Sequence, residues 1–337
     1  PSAPTSYSSE MPRVVLGRIV AIGAAAVWLA VACSSFESTE TTTSDAGDRE
    51  AGGGGDDAMP PADGSTNDAG ADASPPTCAI GTVFVANKKI DGVNTPDYES
   101  IPRVSHDERV IYFRRSPLGG AGKLYRAARA KVGDAFDVPV AVGGISTTFS
   151  TPWLTPDELT VYFDDDTLAN PAVFATRKTS ASDFPAPTPW QIAGASPVAP
   201  VFREDLQEVF YALGTPSDLW SAAVTDGGYA DAAVLGTLNS NGNDQEPAIS
   251  ADGLELFFYT EKMRASDDGT IYWTSRDTRS SPWRTPQKIG ELEPDSGAQF
   301  TSPGTISPDH CRLYYYASTD PSAGWELYVA ERAPAGK

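Results

Sequence analysis

One phrase recurs along this chain, and recurrence limits the fold more tightly than composition does. "ISADGLELFFY" runs from Ile249 to Tyr259, "LTPDELTVYF" fills Leu154–Phe163, and "VSHDERVIYF" and "ISPDHCRLYYY" repeat the pattern. A degenerate copy, "VFREDLQEVFY", lacks the Ser but keeps Asp205, Val209, Phe210 and Tyr211. The aspartates of the phrase, Asp107, Asp157, Asp205, Asp252 and Asp309, lie 50, 48, 47 and 57 residues apart. A short apolar run ending near Arg follows four of the five phrases ("KLYRAAR", "AVFATRK", "TIYWTSR", "ELYVAER"), and an aromatic–Pro–apolar segment such as "FDVPVAV" or "WRTPQKIGEL" is the third recurring part. These pieces are rich in Tyr, Phe, Val and Ile and bounded by Gly, Pro, Asp and Asn, which are strand and turn signals. About four strands in a unit of roughly 50 residues is the period of a β-propeller blade. The expected fold is all-β: a propeller of five blades, each of four antiparallel strands, with a sixth diverged blade as the alternative.

The phrase Asp has a mechanical reading. It falls where the first strand of a blade must turn into the second, and its carboxylate can accept a backbone N–H two residues on. The "YF" that follows supplies side chains for packing between blades. The last unit ends near Arg332 without its aromatic–Pro–apolar strand, whereas "NKKIDGV" near the N-terminus parallels "PQKIGEL" at Pro286–Leu292. The N-terminal strand is therefore expected to complete the last blade and close the ring, leaving no open edge there. That closure would put Cys78 and Cys311 in one blade, and a disulfide between them is expected.

"EPAISADGLELFFY…IYWTSR…PWRTPQKIGEL" resembles the WD40-like PD40 repeat, found in TolB-type propellers and many bacterial envelope proteins. The resemblance covers residues 98–332. It implies a propeller that binds or scaffolds rather than one particular chemistry.

The N-terminal part reads as an export and anchoring device. Arg13 and Arg18 flank a short basic region, and Ile19 to Ala32 form an apolar core too short to span a bilayer comfortably. "LAVAC", Leu29–Cys33, resembles a bacterial lipobox, which implies lipidation at Cys33; Ser34 after it implies the outer membrane. Residues 1–33 are thus expected to be a lipoprotein signal peptide with its start at Met11. Residues 34–77 hold ten acids and one Arg and almost no large apolar side chains. Such a segment cannot offset the entropy of ordering it and reads as a flexible acidic tether. Residues 78–337 are then the propeller domain. The formal net charge of −20 argues against a nucleic-acid partner. A monomer is expected, with an envelope protein, peptide or saccharide as ligand and a membrane contact only through the lipid.

Signals of chemistry are sparse. His106 and His310 each neighbour a turn Asp and read as solvent-facing turn residues at matching places. No zinc spacing, Ser–His–Asp arrangement, phosphate loop or dinucleotide fingerprint stands out, and no cofactor or metal is expected. "DDD" at Asp164–Asp166 and "DDG" at Asp267–Gly269 have the chemistry to ligate calcium, but neither matches a hand-type loop, and they read as ordinary loop turns. Asp97, Glu99, Asp244 and Glu246 sit where chains enter innermost strands, and two carboxylates at a channel mouth are the minimum for glycoside hydrolysis. With Tyr98, Gln245, Gln299 and Trp153 they read instead as a polar funnel for a ligand, and no catalytic residue is expected. Trp190 and Trp283 are read as core residues at the outer-strand position of Phe136.

Overall fold

In a computed structural model of the chain, the described residues are 78–333, apart from 118–119, 146–148, 166, 227, 262–268, 293–299 and 319–323. Cys33, the tether 34–77, Gln299, Asp166 and Asp267 lie outside them. The strands form five sheets of four antiparallel strands each. Blade 1 runs through Tyr98–Val104, Val110–Ser116, Lys123–Ala128 and Val140–Ala141. Blade 2 holds Phe149–Leu154, Thr160–Asp165, Ala172–Thr176 and Thr188–Pro189. Blade 3 holds Val198–Phe202, Glu208–Leu213, Asp218–Thr225 and Gly228–Val234; blade 4 holds Asp244–Ile249, Glu255–Thr260, Thr270–Ser275 and Gln287–Lys288. Blade 5 has Phe300–Ile306, Arg312–Ser318 and Glu326–Arg332, and its outer strand is Phe84–Lys89 from the N-terminal side, paired antiparallel with Glu326–Arg332. The architecture is a five-bladed β-propeller closed by strands from both ends of the domain.

The geometry accounts for the recurring phrase. Asp107, Asp157, Asp205, Asp252 and Asp309 each accept the backbone N–H two residues on, at 3.0–3.2 Å. The residue after each Asp takes a left-handed backbone: Glu108, Glu158, Leu206, Gly253 and His310 have φ between 55° and 77°. The Ser or Thr two before the Asp donates to its carboxylate and accepts an N–H from the second strand, as Ser105 does from Val110 at 3.0 Å and Thr155 from Thr160 at 3.0 Å. In blade 3, Arg203 stands at that Ser position and grips Asp205 through Nε at 2.7 Å and Nη2 at 3.0 Å.

The Arg and aromatic signals of the repeat form one latch. Arg129, Arg177, Arg276 and Arg332 donate to the carbonyls of the left-handed residues Glu108, Glu158, Gly253 and His310, at 2.7, 3.0, 2.7 and 3.1 Å. Each guanidinium also lies over a ring of its blade's outer segment: Phe136, Phe184, Trp283 and Phe84, at 4.3–4.6 Å. Turn, third strand and outer segment are thereby fastened at one point. This set corrects the placing of Trp190. Its place in the repeat is that of Ile289, while Phe184 holds the Phe136 position; Trp190 is buried and donates its indole N–H to Tyr229 at 2.7 Å.

Blades pack through the residues after the turn. Tyr314 and Tyr316 of blade 5 meet Ile101, Ile111 and Phe113 of blade 1, and Phe257 of blade 4 meets Leu313 and Tyr315 of blade 5.

The junction of blades 4 and 5 also carries buried charge. Glu255, fully buried, receives Arg332 through two bonds of 2.9 Å, His310 Nδ1 at 2.8 Å and the Gly81 N–H at 3.3 Å. His310 Nε2 meets Asp252 at 3.1 Å. This corrects the sequence reading of the two histidines. His106 precedes its turn Asp, is exposed and pairs with Glu204, whereas His310 follows Asp309 and is 8% exposed. The left-handed backbone at His310 aims its ring into the blade interface rather than at solvent. Burial pulls its pKa down, but the bonds to Asp252 and Glu255 outweigh this and raise it to about 9. Asp252 is depressed to about 2: burial raises it, and the bonds from His310 and Ser250 overcome that.

A disulfide joins Cys78 to Cys311 across 233 positions of sequence. The loop-entropy model assigns such a loop about 5 kcal/mol. Replacing Cys311 with Ser should lower unfolding free energy by up to that amount in chemical denaturation, and reductant should do the same to the parent chain but not to the variant. The His310 cluster sets the pH response. A raised His pKa contributes stability that is complete below about pH 6.5 and disappears as pH rises to about 9. The depressed Asp252 contributes stability that fades as pH falls from about 4 toward 2. Denaturation midpoints measured from pH 6 to 9.5 should decline, and His310→Gln should flatten the decline.

Candidate functional site

The inner strands converge on a central channel with two mouths. At the mouth where these strands begin lies a cavity of about 450 Å³. Its lining follows from one local device. Blades 1 to 4 interrupt the inner strand at an X–Pro step, where the pairing register shifts, and the residue before the proline has φ of 46–53°: Ile101, Thr151, Ala199 and Glu246. A left-handed non-Gly residue costs about 1 kcal/mol, and such strain collects where side chains must be aimed. All four residues line this cavity. Blade 5 has Ser302–Pro303–Gly304, and a Cβ on Gly304 would meet the Pro102 carbonyl oxygen at 2.2 Å, so the backbones of blades 5 and 1 approach too closely for any side chain there.

Counting from these prolines decides which expected site residues reach the channel. Glu99 and Asp244 share one register position, three before the proline, and both are completely buried. Glu99 is tied to Thr95 through N–H and hydroxyl donors at 3.2 and 2.6 Å and to Arg115 Nε at 2.7 Å. Asp244 holds the Ser240 N–H at 2.6 Å. Each braces the loop that enters its blade, and neither lines the cavity; burial raises the pKa of both. Asp97 is partly exposed on the loop entering blade 1, and Tyr98 sets its ring edge-on to Trp325 at 5.6 Å. Gln245 and Glu246 do line the cavity. Glu246 accepts from Ser302 and from Tyr316 at 2.7 Å, and burial raises its pKa. Trp153 lies at the other mouth, packed on Phe202 at 4.8 Å and only 8% exposed.

Four contributors to the cavity at this first mouth were not singled out from sequence. Asp164 accepts from Thr151 and from the Ala199 N–H at 3.0 Å. Its "DDD" reads as an ordinary loop turn, yet Asp164 is the penultimate residue of the second strand of blade 2. Phe300 and Trp325 are half-buried and stack at 5.7 Å, and Tyr316 stands behind them. The stretch "GWELY" holds the Trp just before a third strand, which was the available signal. The site therefore offers an aromatic wall, two carboxylates and an amide around one cavity. Among the described residues no group of three His, Cys, Asp or Glu is placed to hold a metal ion.

No protein-family model matches the chain, and comparison with curated proteins finds no match. Among solved structures, an alpha-L-arabinofuranosidase from Podospora anserina, in complex with cellotriose, aligns at 14% identity with a TM-score of 0.50, over 76% of this chain and 98% of that one. The catalytic domain of a Coprinopsis cinerea alpha-L-arabinofuranosidase aligns at 11% identity and 0.50, over 75% and 98%. TolB from Acinetobacter baumannii aligns at 13% identity and 0.42, over 71% and 55%. At these identities the arabinofuranosidase alignments show the shared propeller fold and nothing further.

Proposed function

We propose that this chain is an envelope lipoprotein, anchored through Cys33, whose propeller binds a polyhydroxylated ligand, a saccharide, without turning it over. The observation that carries the reading is the composition of the cavity at the mouth where the inner strands begin. The Trp325–Phe300 pair offers an apolar face of the kind that covers a sugar ring, and Glu246, Asp164 and Gln245 offer acceptors and an amide for hydroxyls. Of the four acids expected at channel mouths, Glu99 and Asp244 serve loops, and Glu246 is already engaged by two hydroxyl donors. A general base must reach the substrate, and Glu99 and Asp244 lie outside the cavity.

A hydrolytic reading draws on one specific observation: Asp164 and Glu246 line the same cavity. Two carboxylates facing one sugar are the minimum for acid and base roles, with Glu246, its pKa raised by burial, as the acid.

Thermal unfolding of the full chain with a panel of envelope saccharides tests both. A bound ligand at 100 times its dissociation constant adds about 2.7 kcal/mol to the folded state. A saccharide should raise the midpoint, Trp325→Ala should abolish the rise, and no product should form on prolonged incubation. Product formation that Glu246→Gln or Asp164→Asn eliminates would replace the binding reading with the hydrolytic one. No shift from any saccharide would remove both.

A further inference from the structure

The opposite mouth holds a second cavity, of about 120 Å³, where the inner strands end. Arg103 lines it and is 5% exposed. The guanidinium spans three blades: Nε donates to the Pro152 carbonyl in blade 2 at 2.9 Å, and Nη1 donates to the Gly304 carbonyl in blade 5. Nη2 is buried and has no hydrogen-bond partner among the described residues. Arg103 has no carboxylate within ion-pairing distance among them either. Burial lowers its pKa to about 10, with Glu246 acting from a distance in the opposite direction, so it stays charged at neutral pH. A buried cation with one donor group unused is costly unless an anion completes it.

The surroundings define that anion. The acids at this mouth are committed. Glu108 is gripped by Arg312 at 2.6 and 2.7 Å and by Tyr314 at 2.6 Å, and Glu158 by Tyr112 at 2.5 Å and Arg126 at 3.3 Å. Their charge, with Glu204 on the same rim, disfavours a dianion. One uncompensated guanidinium asks for one negative charge. Trp153, Val201, Phe202, Ile249 and Ile306 give the wall a large apolar part, with hydroxyls of Ser105, Thr155, Thr305 and Ser307 toward the rim. An apolar cavity of comparable size accommodates about six heavy atoms.

We propose that this second cavity binds a monocarboxylate carried on a short aliphatic group, the carboxylate meeting Arg103 and the aliphatic part filling the apolar wall. Nη2 is closed to water, so the wall shifts to admit the carboxylate. The inference is independent of the saccharide reading, because it concerns the other end of the channel and shares no lining residue with that cavity. Two sources carry this chemistry, a free short-chain acid and the C-terminus of a peptide ending in a small apolar residue.

The test is a ligand-observed NMR titration of the full chain at pH 7 with butyrate, butyramide, the peptide Gly-Gly-Val and its C-terminal amide. At least one carboxylate should bind saturably and tenfold or more tighter than its amide, about the contribution of one charged hydrogen bond. Whichever of butyrate and Gly-Gly-Val binds tighter identifies the source. Arg103→Met should remove this binding while leaving saccharide-induced stabilisation unchanged. Where that variant fails to fold, Ile249→Phe, which fills the wall and keeps Arg103, should remove it instead. Equal binding of acid and amide, binding that survives in a folded Arg103→Met or Ile249→Phe chain, or no saturable binding by a chain that unfolds cooperatively would overturn the proposal.

Discussion

The propeller depends on one carboxylate per blade holding a tight turn. The Asp takes the N–H two residues on, and the next residue is driven into a left-handed backbone. That exposes a carbonyl to the Arg at the end of the third strand, and the Arg in turn covers an aromatic ring of the outer segment. Three stretches far apart in the repeat are thus tied to one turn in blades 1, 2, 4 and 5. Blade 3 shows what happens when part of the set is lost. Its Ser is replaced by Arg203, which binds Asp205 and Glu208 directly, and Arg276 of blade 4 reaches the same Glu208 at 3.0 Å. Charge between blades substitutes there for the hydroxyl within one.

This explains why much of the architecture was legible and part of the site was not. Asp, Ser, Arg and the aromatic act within a single repeat, so periodicity exposes them, and the closing strand and the Cys78–Cys311 bond follow from finding where the period is incomplete. Interactions between repeats leave no periodic trace. His310 and His106 look alike beside their aspartates, but two positions of offset put His310 on the left-handed residue and turn it into the blade junction. Glu99 and Glu246 look alike as acids before inner strands. Measured from the prolines, Glu246 aligns with Ile101 and Glu99 with Asp244, which separates the cavity acid from the loop braces. Arg103 and Asp164 carry no signal, because an Arg near a phrase and an Asp in "DDD" both read as solvated surface.

The channel gathers several costly features: the four left-handed residues before the inner-strand prolines, a guanidinium with no partner acid among the described residues, and an engaged carboxylate whose pKa burial raises. The regularly paired second and third strands of each blade and the latches supply the stability that tolerates these departures, in keeping with strain gathering where side chains are presented to a ligand.

The placement of Cys78 has a mechanical consequence. Any load on the chain preceding it reaches Cys78 before the closing strand Phe84–Lys89. Without the bond, that load would peel an edge strand away from Glu326–Arg332 one hydrogen bond at a time, the weakest way to pull on a sheet. With it, the load passes covalently to Cys311, at the start of a central strand paired on both sides. The seam of the ring is then shielded from traction, and a pull must shear a whole blade rather than unzip its rim.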